Sequence, residues 1–116
     1  MTGGITGNLT GSLERYMDLL SARQKLVASN IANADTPGYQ TQDIDFQTEF
    51  MSLVDGQSPH SIEPAGLTQK PDGNNVSIDR EARLLSENAI RFNLASTLVR
   101  ERLKLVRTAI HEGKGV

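Results

Sequence analysis

Leu85, Ala89, Phe92, Ser96, Val99, Leu103, Val106 and Ile110 follow one another at alternating steps of four and three residues, with no glycine or proline between them. That spacing keeps a single stripe on one side of an α-helix and suits no strand. It predicts a helix over 79–112, about 50 Å long at ~1.5 Å per residue. Asp79 is the expected N-cap with Glu81 just inside, and Gly113 the expected residue past the end. A second apolar line, Leu94, Leu98, Leu105 and Ala109, runs beside the stripe. The apolar face is therefore wider than one partner helix needs.

A shorter stripe of the same kind lies near the other end. Leu13, Met17, Leu20, Val27, Ile31 and Ala34 keep the alternation, with Gln24 in the one polar slot. Ser12 is the expected N-cap, and Asn30, Asn33, Pro37 and Gly38 supply the stop, giving a helix over 12–33. The fold class that follows is mainly α. Two long terminal helices form an antiparallel, coiled-coil-like core, joined by an irregular middle with an extended segment and a short helix. As one domain over 1–116, the chain divides into a flexible N-terminus (1–11), the first helix (12–33), the middle (34–78) and the second helix (79–112). Leu13, Met17, Leu20, Val27 and Ile31 should face Leu85, Phe92, Val99, Leu103, Val106 and Ile110, with Gln24 and Ser96 fixing register.

In the middle, Thr36-Pro37-Gly38-Tyr39 is a turn in which proline pre-sets φ and glycine supplies a positive φ. Tyr39 to Asp45 reads as extended. Phe46, Phe50, Leu53 and Val54 fit one short helix ended by Gly56, although Ile44, Phe46 and Phe50 also suit a strand. Residues 56–75 read as loop. A hairpin of this size leaves apolar surface without cover, so both termini of an isolated subunit should be largely disordered.

Several functions are excluded early. With 12 basic and 14 acidic residues the net charge is −2, and no basic run marks a nucleic-acid binder. The absence of cysteine removes disulfides, thiolate metal sites and a cysteine nucleophile. No apolar run approaches the roughly 20 residues that cross a bilayer, and residues 1–11 have neither the basic nor the apolar region of a cleavable signal. Charge is uneven, however. Residues 41–76 carry one basic and six acidic residues, and residues 77–116 carry eight basic and five acidic ones. Head-to-tail contacts between subunits could use that difference, although solvated helix faces also explain it.

No catalytic constellation, cofactor loop or metal-ligand set emerges. His60 and His111 have no second ligand at metal spacing. In an extended segment Asp43 and Asp45 share one side, which an exposed strand face explains. The run from Asp72 fails as an EF-hand because Ser77 and Arg83 stand where glycine and glutamate are required. It reads better as a turn leading into a helix cap.

The segment Ser29-Asn30-Ile31-Ala32-Asn33-Ala34-Asp35-Thr36-Pro37-Gly38-Tyr39 closely resembles the signature of the bacterial flagellar basal-body rod proteins. Asp43-Ile44-Asp45-Phe46 resembles its continuation in the proximal rod subunit, as does Asp72-Gly73-Asn74-Asn75-Val76 followed by Asp79-Arg80-Glu81. The resemblance implies a non-enzymatic structural subunit that polymerises helically into the axial tube transmitting torque and conducting exported subunits. It implies export by the flagellar type III system without a cleaved signal, and a place in the periplasm-spanning rod. The implied partners are other copies, the next rod protein FlgC, the adaptor FliE and the export gate. Asn30, Ile31, Ala32, Asn33, Thr36, Pro37, Gly38, Tyr39, Asp43 and Phe46 would form the assembly motif, and Tyr39 should pack on a neighbouring chain or on its own C-terminal helix. A helical-hairpin export chaperone or adaptor is the alternative reading of the same helices.

Overall fold

The computed structural model describes residues 4–52 and 58–114. The elements in chain order are α1 (Gly4–Ala32), β1 (Asp43–Ile44), α2 (Phe46–Ser52), β2 (Ser61–Ile62) and α3 (Ile78–Lys114). The expected contributions of Leu53, Val54 and Gly56 to the short helix lie outside the described residues.

The long helices pair antiparallel. Asn30 at the end of α1 meets Glu81 at the start of α3. Further along, Gln24 meets Asn88, and Leu9 and Leu13 line one groove with Leu98 and Leu105. The result is a rod-shaped subunit with extents of 72 × 26 × 18 Å. Its middle folds back along α1, where Phe46 and Phe50 of α2 meet the ring of Tyr16 edge-on at 5.4 and 6.1 Å. A small core of Leu19, Leu20, Val27, Ile44, Val76, Leu84 and Ala95 runs beneath these contacts.

Helix boundaries differ from expectation at three ends. α1 begins at Gly4, not at Ser12, so the segment expected to be flexible is helical from Gly4 onward. Glycine costs a helix about 1 kcal/mol per residue. Packing against α3, to which Leu9 and Leu13 contribute, overrides that preference. The cap of α3 is Ser77, not Asp79: its Oγ accepts the Arg80 N–H at 3.3 Å, and its carbonyl accepts the Glu81 N–H at 3.0 Å. Asp79 instead sits in the first turn, where a carboxylate suits the helix dipole. α3 also runs through Gly113 to Lys114. In the segment read as loop, Ser61–Ile62 pairs antiparallel with Asp43–Ile44, Asp43 opposite Ile62; two residues are too few to leave a periodic signal.

The phase of the second stripe is the larger correction. The buried line of α3 is Glu81, Leu84, Asn88 and Ala95. At most levels this is one residue before the expected stripe. Leu85, Phe92, Leu103, Val106 and Ile110 are 37–55% exposed, and Val99 and Ser96 are half-buried. On α1, Leu20 and Val27 are buried, Leu13 and Met17 half-buried, and Ile31 is exposed. Gln24 does hold a polar contact across the pair, but with Asn88 (3.2 Å). Glu81 and Asn88 take seam positions because both find hydrogen-bond partners there, which removes the usual penalty for burying polar groups.

This phase predicts opposite responses from adjacent leucines. Leu84→Ala should cost about 2–4 kcal/mol in urea unfolding. Leu85→Ala should stay within about 1 kcal/mol of the parent in the dissociated chain. Equal losses would return the stripe to the seam.

A buried polar lock as the candidate functional site

Near the closed end of the hairpin, α1, the extended segment and the start of α3 meet around charged and amide side chains. Asp43 is 4% exposed and accepts four hydrogen bonds. Its Oδ1 takes the Arg23 Nε–H at 2.9 Å and its own neighbour's N–H, from Ile44, at 2.7 Å. Its Oδ2 takes one Nη–H from Arg23 at 2.9 Å and one from Arg80 at 2.5 Å. Arg80 also donates to Glu81 Oε2 at 2.6 Å, and Glu81 is fully buried. Two arginines and two carboxylates thus balance in charge inside the fold. Burial pushes the Asp43 carboxyl up, but the bonds from Arg23, Ile44 and Arg80 outweigh it and hold it below its ordinary 3.8. Burial likewise lowers Arg80, while Glu81 and Asp43 raise it further, so its cation is secured.

Asn30 ties this cluster to the chain reversal. Its Nδ2 donates to Glu81 Oε1 at 2.7 Å and to the Gln42 carbonyl at 2.8 Å. Its Oδ1 accepts the Gln42 N–H and the Tyr39 hydroxyl, both at 3.0 Å. All four hydrogen-bonding positions of the carboxamide are filled at 0% exposure. Toward Gln42 the side chain does what a neighbouring strand would do, taking both the N–H and the C=O. Tyr39 therefore packs on the end of α1, with Ser29 Oγ also 3.2 Å from its hydroxyl.

The end of α1 is closed by the segment before α3. Asn74, fully buried, donates to the carbonyls of Asn33 (2.9 Å) and Thr36 (2.8 Å), and Lys70 Nζ donates to that of Ala34 (3.0 Å). These carbonyls lie in the turn just past Ala32, so Asn74 and Lys70 fasten the chain reversal that follows α1. The turn forms as expected, with the Tyr39 N–H on the Thr36 carbonyl at 3.2 Å and φ of 77° at Gly38. Gly38 then donates its N–H to Asp72 at 2.9 Å. A Cβ on Gly73, whose φ is 89°, would lie 3.3 Å from the Gly38 Cα, so the two turns meet backbone to backbone.

Of the expected motif, Asn30, Asn33, Thr36, Gly38, Tyr39 and Asp43 are brought together here. Pro37 lies in the turn, and Phe46 sits beside the cluster with the Arg23 guanidinium 5.9 Å over its ring. Ile31 and Ala32 are exposed on α1. Asp43 does not lie on an exposed strand face: Arg23 and Arg80, 20 and 37 residues away, draw it inside. Sequence spacing offered no pairing signal for Arg23, Asn74, Arg80 or Glu81. Among the described residues no His, Cys, Asp or Glu cluster could hold a metal ion, and no helix is long and apolar enough to cross a membrane.

An elongated subunit whose polar centre is spent on holding its own helices together belongs to the class of structural assembly proteins. A model of the flagella basal body rod protein family matches residues 17–40, from the middle of α1 through the turn. The chain is 32% identical to the flagellar basal body rod protein FlgB of Salmonella typhimurium, covering 86% of this chain and 91% of that one. It is 29% identical to FlgB of Escherichia coli, with the same coverage, and 30% identical to FlgB of Borrelia hermsii, covering 83% and 90%. The chain belongs to the flagellar basal body rod protein family, with FlgB proteins as its relatives.

Asp43→Asn should remove about 3–5 kcal/mol at neutral pH by leaving Arg23 and Arg80 without their shared anion. Because the folded carboxyl titrates below its ordinary value, its contribution is full above about pH 5 and is lost as pH falls through that lowered value. The gap between parent and variant should therefore narrow as pH falls through that lowered value in pH-dependent urea unfolding. A constant gap between them would deny Asp43 this role. A Cβ on Gly38 would meet nothing within 4 Å, so it is the positive φ that opposes Gly38→Val. It should cost about 1–2 kcal/mol and impair swimming, with circular dichroism showing α1 retained.

Proposed function

We propose that the chain is a proximal building block of the flagellar rod, self-assembling and joining other rod proteins to form the tube that transmits torque and conducts exported subunits. Family membership supports the structural role. The observation that carries the assembly reading is the apolar surface left on α3: Ile90, Leu94, Leu98 and Leu105 lie along one side and are 47–69% exposed, and Leu103 and Ile110, 49% and 55% exposed, lie along another. A monomer rarely leaves so long an apolar surface uncovered. On this reading the whole chain, 1–116, is one rod-type core domain. The motif from Asn30 to Phe46 serves assembly by fixing the angle at which the helix pair and the middle segment are presented. The FlgC-like neighbour above and the adaptor FliE and export gate below are the specific partners, reached after type III export. An export chaperone with the same helices would need to be fully folded when alone, whereas a rod subunit need not be.

The three described helices span 29, 7 and 37 residues. Far-UV circular dichroism of dilute chain should fall well short of that helix content, because the ends remote from the lock lack partners. Helicity should rise with concentration. Full helicity with a sharp, concentration-independent melt would favour the chaperone.

A further inference from the structure

The half of α3 remote from the lock leaves apolar residues on two sides, and charge tells the sides apart. At ~100° per residue, Leu103, Val106 and Ile110 fall within roughly 60° of one another, and they are 40–55% exposed. Arg107, Arg100 and Lys104 border this stripe, all exposed. None of the three is in an ion pair among the described residues. Arg100 donates a long hydrogen bond to Thr97 Oγ1, at 3.4 Å. Glu101 and Glu112, also exposed, project from the opposite side of the helix, beside Leu94 and Leu105. Nearer the lock the border of the same stripe is Ser86, Ala89, Asn93 and Ser96, without charge. The basic character is therefore confined to the far end.

The neighbouring helix adds no negative charge there. Asn30 is level with Glu81 and Gln24 with Asn88, so the part of α1 alongside Leu103 and Val106 is Gly4–Leu9, which carries no charged residue. The nearest acids of α1, Glu14 and Asp18, lie level with about residues 97 and 93 of α3, on the lock side of the stripe. An apolar stripe edged with cations, its acids turned away, suits a flat surface that is negative on top and oily beneath. A partner helix reading the whole stripe would gain nothing from cations gathered at one end, whereas a bilayer engages that end alone.

We infer that the unassembled chain docks on an anionic lipid bilayer through the far end of α3. Leu103, Val106 and Ile110 enter the acyl boundary, and Arg100, Lys104 and Arg107 lie among the headgroup phosphates. The helix rests in the interface, since no described helix is long and apolar enough to cross a membrane. Three aliphatic side chains and three cations give a reversible hold, weaker than any inserted span. The chain can therefore leave the bilayer when neighbouring subunits cover the same side chains. The inference goes beyond the rod reading and does not depend on it, because a dilute chain meets lipid without meeting neighbours.

Flotation of the dilute full chain with lipid vesicles tests this. The chain should float with vesicles of equimolar phosphatidylglycerol and phosphatidylcholine, and bind phosphatidylcholine alone roughly tenfold or more weakly. Raising salt to about 1 M, where the screening length is ~3 Å, should release it. Far-UV circular dichroism should show helicity gained on the anionic vesicles only. Arg100→Gln with Lys104→Gln and Arg107→Gln should weaken binding roughly tenfold or more, as should Leu103→Ser with Ile110→Ser. Leu94→Ser with Leu105→Ser, on the acidic side, should leave binding within about twofold of the parent. A parent that does not float, or binds both vesicles equally, overturns the inference whatever the variants do. Release by soluble polyglutamate of equal total charge would assign the surface to an acidic protein and overturn it as well. A loss through Leu94 and Leu105 as large as that through Leu103 and Ile110 would overturn the choice of side. The rod reading stands or falls separately, on the presence of the chain in purified basal bodies.

Discussion

The structure depends on where the Asp43 carboxylate is held. It carries two arginines that come from different helices, Arg23 of α1 and Arg80 of α3, so the ion pairs close the hairpin and place the extended segment in one act. An exposed pair would contribute little against screening by water and salt. Here the carboxylate is 4% exposed and its remaining lone-pair position is filled by the Ile44 N–H. Buried ion pairs often do no better than a hydrophobic contact in stability, yet losing one partner is costly. What such an arrangement supplies is a single geometry, and a subunit that repeats in an assembly requires its helices always to leave the junction at the same angle.

Much of the fold was legible because helix periodicity is a strong signal over long stretches. Both helices, the antiparallel pairing and the positive φ of Gly38 follow from residues near one another in the chain. Phase was less legible. Periodicity places the Leu85–Ile110 stripe at the internal seam, but the seam takes Glu81 and Asn88 and leaves Leu85 and Phe92 outside. Hydrophobicity alone cannot reveal that a glutamate 51 residues from Asn30 has its hydrogen bond waiting. For the same reason Asp43 looked like half of an exposed acidic pair, since both its cations are remote in sequence. The two-residue strands and the helical start at Gly4 are set by tertiary contact, against or without local preference.

Polar residues inside and apolar residues outside suit two different tasks. The lock satisfies itself within one chain: Asn30 fills all its positions, Asn74 closes the end of α1, and Gly38 and Gly73 meet backbone to backbone. The apolar line of α3 has no such closure and lies mostly on the half remote from the lock. Order should therefore decline along the hairpin, from a junction that holds by itself to ends that complete their burial against neighbouring subunits.

Native-state hydrogen exchange on the dilute chain tests that account directly. The amides of Thr41 to Ile44, the last two turns of α1 and the first three turns of α3 should exchange slowest, and together, as one cooperative unit. Protection should fall away along α3 beyond about residue 95, and the slow unit should disappear in Asp43→Asn. Even protection along the whole of α3, or a junction that exchanges before the far ends, would contradict the central place given to the lock.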